Sequence, residues 1–270
     1  MPAVSLAHLQ KQIELLRWKY TQPEEFVAGL RNLLEKYSDY TYRVAASAPE
    51  ASRQIDAYHV PPVVTRQIEL TLYALVNENS SPALNLANLL WQEEKEEPRL
   101  LAIYLLGILP PSEFEQVIQT IETWASLEND PVLLEALFEQ GSNNLRRYSI
   151  QHWLSKIQEW SSQNSIKFQK LSLLALLPLL KDRQFENLPR VFNLCTPLFQ
   201  GEIKGLSHEL SRVLIALAQR SPAELAYYIR QLIGSAPSED LRRLIRRCLP
   251  SFPAEVQERI RPILHMTTSP

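Results

Sequence analysis

The sequence predicts an all-α protein, and three observations carry that reading. Apolar residues recur at three- and four-residue spacing through most of the chain. Glycine occurs 6 times and proline 19 times, which disfavours sheets with tight turns and suits many helices started by proline. No stretch alternates polar and apolar residues as a half-buried strand would. At 270 residues, 45% of them apolar and 21% charged, the chain is globular and long enough for one large domain or two small ones.

Helices are expected at about 5–20, 23–37, 61–78, 82–93, 97–109, 112–127, 131–140, 143–160, 164–181, 184–199, 205–219, 222–234, 238–249 and 253–264. Leu6, Leu9, Ile13 and Leu16 form the apolar face of the first; Phe26, Leu30, Leu33 and Leu34 form that of the second. Ser81-Pro82, Asp130-Pro131 and Ser221-Pro222 mark three starts. In each, a polar side chain can accept a free amide, and proline occupies a turn where its missing N–H costs nothing. The runs LLAIYLLGIL (100–109) and LSLLALLPLL (171–180) are about half a membrane span long, so they read as helices buried on nearly all sides. Leu241, Leu244, Ile245 and Cys248 make the stripe of the helix at 238–249. Residues 38–60 are the least regular and are expected to form a connector.

The helices come in pairs joined by short turns. One member of many pairs runs from charged residues into Leu, Ile and Ala: EPRLLAIYLLGIL, NLRRYSIQHWL, KFQKLSLLALL, HELSRVLIALA and DLRRLIRRCLP. A lone hairpin cannot bury its apolar face, whereas stacked hairpins build one core. The expected architecture is therefore a right-handed superhelical solenoid of degenerate HEAT-like or armadillo-type helical hairpins over 61–270. A two-helix element at 1–37 precedes it.

A net charge of −2 hides an asymmetry. Residues 1–144 carry 10 Lys and Arg against 20 Asp and Glu, and residues 145–270 carry 18 against 10. Such a contrast bears on partners, not on fold. Cys195 and Cys248, far apart in apolar helical patterns, are expected to be buried thiols in a reducing cytoplasm. The first residues lack a basic stretch followed by an apolar core, so no signal peptide and no membrane association are expected.

Two blocks carry a resemblance. One is ALNLANLLWQEEKEEPRLLAIYLLGILP (83–110) followed by IETWASLENDPVLLEALFEQ (121–140). The other is WSSQNSIKFQKLSLLALLPLLKD (160–182) followed by HELSRVLIALAQRSPAELAYYI (208–229). With Trp91, Glu97, Arg99, Trp124 and Trp160, they resemble the AlkD-like DNA alkylation repair family, HEAT-like-repeat glycosylases of alkylpurines, over about 60–250. The resemblance implies a curved solenoid whose basic concave face cradles duplex DNA. It also implies a Trp and, four residues on, an Asp in the helix NDPVLLEAL. Here Asp130 stands at the Trp position and Leu134 at the Asp position. A second Trp position holds Arg212, and the motif Trp-x-Arg-Arg reads Lys167-Phe168-Gln169-Lys170.

These departures matter chemically. Cleaving the glycosidic bond of a cationic purine builds positive charge on the sugar, which a fixed carboxylate and electron-rich rings stabilise. Leucine supplies no carboxylate, and Arg212 has the wrong sign. Asp130 shares a helix face with Leu134, but the following proline marks Asp130 as a cap. Glu135 is one residue off, about 100° around the helix. Asp130 and Glu135 are thus the only catalytic candidates, and both are weak.

The basic candidates are Lys167, Lys170, Arg146, Arg147 and Arg212, with Arg242, Arg243, Arg246 and Arg247 opposite the apolar stripe of their helix. They read either as a phosphate-contacting strip or as solvated helix faces. Acids able to pair with the last four are scarce in that helix. His208-Glu209 lacks the second histidine of a zinc-peptidase motif, and no Cys/His spacing suits a metal. No glycine-rich phosphate loop is present. No cofactor and no metal are expected. Glu93, Glu94, Glu96 and Glu97 are read as straddling a turn and favouring the positive end of the next helix. Trp91, Trp124, Trp153 and Trp160 sit among Leu and Ile at helical spacing and are read as packing residues.

The leading functional expectation is a nucleic-acid-binding relative of the repair glycosylases, non-catalytic or catalytically divergent, with duplex DNA as partner. The alternatives are a protein–protein scaffold using the solenoid groove, and an active glycosylase with a displaced carboxylate.

Overall fold

A computed structural model describes residues 5–39, 55–235 and 238–265. Most of the expected connector, 40–54, lies outside the described residues. The described residues form fifteen α-helices and no strand, with one isolated bridge between Asp56 and Lys95. They fall into two compact units, Met1–Ile150 and Gln151–Pro270. Among the described residues, no helix is long and apolar enough to cross a membrane.

The first unit holds α1 (Leu6–Arg17), α2 (Pro23–Tyr37), α3 (Pro62–Glu78), α4 (Ala83–Trp91), α5 (Glu96–Ile108), α6 (Phe114–Leu127), α7 (Pro131–Ala136) and α8 (Asn143–Tyr148). Helices two apart in the chain pack together: α1 on α3, α2 on α4, α3 on α5. Leu9, Ile13 and Leu16 bury the expected face of α1, while Leu6 is exposed. Polar ties fasten the layers. Arg17 pairs with Glu78 at 2.6 Å, Arg31 grips Glu93 with two nitrogens, and the Tyr20 hydroxyl donates to Asn79 O. α4 starts one residue later than expected, with Pro82 rather than Ser81 at its cap.

The run LLAIYLLGIL forms α5 and is enclosed as expected, with Leu101, Ala102, Ile103, Leu105 and Leu106 all buried. Beyond α7 the chain widens into a single π turn, Leu137–Gly141, which lies against α5. A Cβ at Gly107 would overlap the Gln140 carbonyl oxygen, so only glycine lets the two backbones approach this closely.

The helix expected over 143–160 is two helices. α8 ends at Tyr148, Ser149 leaves helical geometry, and α9 starts at Ile150. A continuous helix would carry the face of buried Leu145 through Ser149 and His152, which are both polar. The break re-phases the chain so that Trp153, Leu154 and Ile157 are buried instead.

The second unit holds α9 (Ile150–Ser162, entering at its second residue), α10 (Ile166–Lys181), α11 (Leu188–Gln200), α12 (Ser207–Arg220), α13 (Pro222–Ser235), α14 (Glu239–Cys248) and α15 (Ala254–His265). α10 packs on α12 and α12 on α14; α11 packs on α13 and α13 on α15. α11 starts four residues later than expected because Asn187 caps it, accepting Arg190 N at 3.3 Å, with Pro189 in its first turn. Trp153 and Trp160 meet edge to face at 5.6 Å with no exposed surface, so they are core rather than base-stacking residues. Cys195 and Cys248 are buried free thiols, and burial pushes Cys195 up to about 12.

Two stability predictions follow from this packing. Gly107→Ala would gain about 1 kcal/mol in an exposed helix, but here it is expected to cost roughly 1–3 kcal/mol in urea unfolding, because the methyl must displace backbone. Burial raises the Tyr20 hydroxyl from 10.0 to about 12, because the phenolate is disfavoured inside. Its contribution is fully present below pH 10.0 and is lost as pH rises toward about 12. Tyr20→Phe should therefore flatten the fall in melting temperature over that alkaline window.

Candidate functional site

The first unit gathers charged groups around the start of α5. Trp91, at the end of α4, stacks flat on Trp124 of α6, with ring centroids 4.4 Å apart. The Arg99 guanidinium lies 5.4 Å from the Trp91 ring, a cation on an electron-rich face. Arg99 Nε donates to Glu93 O at 2.7 Å and Nη1 to Glu128 at 3.1 Å. The other Glu128 oxygen accepts the amides of Asn129 and Asp130, both at 2.8 Å.

Residues 55–60 form the facing wall. Glu97, buried in the first turn of α5, accepts Tyr58 N at 2.8 Å and Val60 N at 3.4 Å. His59 between them has φ 54°, a left-handed conformation that this clamp holds in place. Glu96 N donates to Asp56 O, and Lys95 pairs with the Asp56 carboxylate at 3.2 Å. Together with Ile55 and Glu94, the side chains of Asp56, Lys95, Arg99, Glu128 and Asp130 line a polar cavity of about 560 Å³.

Asp130 is the catalytic candidate that reaches this cavity. It is buried, and one oxygen accepts Val132 N at 2.8 Å and Leu133 N at 3.2 Å, so it caps α7 as the proline behind it predicts. Glu135 is exposed on α7 and does not line the cavity. The acidic run is divided between tasks: Glu93 faces Arg31, Glu97 staples residues 58–60, and Glu96 and Glu97 occupy the first turn of α5. Four of the five residues carrying the family resemblance, Trp91, Glu97, Arg99 and Trp124, meet here. Sequence reasoning missed Asp56, Lys95 and Glu128, which lie up to 39 residues from their partners.

Arg146 and Arg147 sit on α8 in the same unit. Arg146 donates to Ser142 Oγ at 3.0 Å and to the Glu139 carbonyl of the π turn. Arg147 is exposed and lies over the Tyr148 ring.

In the second unit, Lys167 and Lys170 stand three residues apart on one face of α10. Lys170 Nζ is 3.9 Å from Glu209 on α12, and Arg212 follows Glu209 by one turn on that helix. These residues therefore share one edge of the α10–α12 pair. Lys167 is exposed, Lys170 and Arg212 are half-buried, and one buried Glu209 oxygen has no hydrogen-bond donor.

The expectation for α14 is corrected. Arg242 is buried, not solvated, because it lies about 60° around the helix from Ile245, on the flank of the apolar stripe. The acids are not scarce either. Glu239 pairs with Arg243 at 3.5 Å and with Arg246 at 3.1 Å, and Asp240 stands 3.9 Å from Arg243. Arg246 also donates to Leu264 O, and Arg247 is exposed. His208 is exposed, and among the described residues no His, Cys, Asp and Glu cluster could hold a metal ion.

A family model described as DNA alkylation repair enzyme matches residues 52–247. That span runs from the wall of the polar cavity to the last arginine of α14. Neither the comparison with curated proteins nor that with solved structures returned a match.

The capping geometry of Asp130 makes a separable prediction. Asp130→Asn keeps an oxygen for the two amides and should leave stability nearly unchanged. Asp130→Ala should lose about 1 kcal/mol in denaturant unfolding.

Proposed function

The chain belongs to the DNA alkylation repair enzyme family, and from that premise we propose that it binds duplex DNA through the α10–α12 edge of its second unit, as a catalytically divergent member. The single observation that carries this reading is the edge itself. Lys167, Lys170 and Arg212 are gathered from two helices, and Lys170 stands within ion-pair range of Glu209. The second unit holds 16 Lys and Arg against 10 Asp and Glu, which favours a polyanion. Lys and Arg side chains hold phosphates without reading sequence, which suits a protein that patrols duplex DNA. Exposed Arg247 on α14, a helix that packs against α12, is a further candidate; Arg243 is paired with Glu239 and Asp240, and Arg242 drops out because it is buried.

Packing of every second helix within each unit supports the HEAT-like reading of a right-handed solenoid, in which such edges line up along a groove. Divergence rests on chemistry. The expected acid position is Leu134, and the neighbouring carboxylate of Asp130 is engaged by two backbone amides. Asp130 does line a cavity large enough for a ligand, and this favours the displaced-carboxylate glycosylase as the second reading.

Fluorescence anisotropy with a short duplex tests the first reading. Three phosphate contacts predict about a forty-fold loss of affinity between about 50 and about 200 mM salt. Lys170→Glu and Arg212→Glu should weaken binding and flatten that salt dependence. Absence of binding at low salt sinks the proposal. Base release from an alkylated duplex, retained by the wild type and abolished by Asp130→Asn, would replace divergence with the second reading.

A further inference from the structure

The other face of the second unit carries a separate cavity, of about 500 Å³, between α11 and α13. Its floor is aromatic: Tyr228 is buried, and its ring centroid lies 4.6 Å from that of Phe192. Tyr227, 64% exposed, stands as a wall. Such a large ring left in solvent beside a concave surface is a place where a partner gains contact area.

The polar groups at the rim have a definite sense. The Tyr228 hydroxyl is consumed inside, 3.0 Å from Thr196 Oγ1 and 3.2 Å from Phe192 O. The Gln231 amide nitrogen donates to the Tyr227 hydroxyl at 2.9 Å, leaving the Gln231 carbonyl oxygen as an acceptor. Among the described residues, Glu224 is the only charged one lining the cavity. Ser221-Pro222-Ala223-Glu224 has the spacing of a capping box, in which Glu224 would reach back to Ser221 N. That amide donates to Leu217 O instead, so Glu224 is not spent on the cap. The cavity therefore offers electron-rich rings, a carboxylate and a carbonyl oxygen, within a unit whose charge is otherwise positive.

We propose that this groove binds an arginine side chain of a partner polypeptide. A guanidinium stacks on aromatic faces and donates in a planar fork to a carboxylate, which lysine cannot do. A phosphate-bearing ligand would meet Glu224 with the wrong sign. The lining residues Pro189 to Thr196 span about 10 Å of helix, room for one long side chain rather than a docked helix. The inference does not rest on DNA binding, since it uses α11 and α13 rather than the α10–α12 edge.

The test is an NMR titration of the full chain with N-acetyl-arginine amide, with the lysine and leucine analogues and adenosine monophosphate as comparators. The arginine probe should shift the side-chain amide signals of Asn193 and Gln231, with an affinity in the millimolar range. Glu224→Gln and Tyr227→Ala, both at exposed positions, should each weaken it at least about five-fold. No shift with the arginine probe overturns the proposal. So does an equal response to leucine amide, which leaves only an apolar groove, or a response to the nucleotide alone.

Discussion

A helix enclosed on nearly every side must settle its polar obligations at its ends, and α5 does so with groups drawn from far along the chain. Its first-turn Glu97 takes the amides of Tyr58 and Val60, while Arg99 reaches both the carbonyl of Glu93 and the carboxylate of Glu128. A paired charge-assisted contact of this kind holds geometry as well as energy, because removing either partner strands the other. The turn before α5, residues 55–60 and the start of α7 are all positioned by these few bonds. At the far end of the helix, Gly107 does by its smallness what Arg99 does by its reach.

The two candidate centres use charge in opposite ways. Around Arg99 the carboxylates of Glu97, Glu128 and Asp130 accept backbone amides, so their negative charge is spent on local structure. By sequence, α10 and α12 carry more Lys and Arg than Asp and Glu, and Lys170 lies 3.9 Å from Glu209. The first arrangement builds a wall, and the second leaves positive potential available to a polyanion.

Much of the fold was legible in the sequence because helical periodicity is a local signal. The capping role of Asp130 and the enclosure of LLAIYLLGIL were readable for the same reason. Failures came where tertiary context decides. Arg242 looked solvated on a wheel that ignored its neighbours, yet its long side chain on the flank of an apolar stripe is covered in the folded chain. Glu239 and Asp240 lay in plain view ahead of the arginines they pair with, and weighing i,i+4 pairs would have found Arg243's partner. Asp56 and Glu128 were illegible, since nothing local links either to the start of α5. The break at Ser149 had a readable sign in the polar pair Ser149 and His152, but only once Leu145 was fixed as core.

The π turn after α7 has a further meaning for relatedness. A π turn is one residue too many for a regular helix, carried as a bulge rather than expelled. Across Leu137–Gly141 the chain therefore gains about 100° of phase relative to a straight helix. Two homologous chains, one with this extra residue and one without it, would agree by counting on only one side of the bulge. Correspondence between their side chains is then a matter of which face each occupies, and matching letters in order ceases to report it.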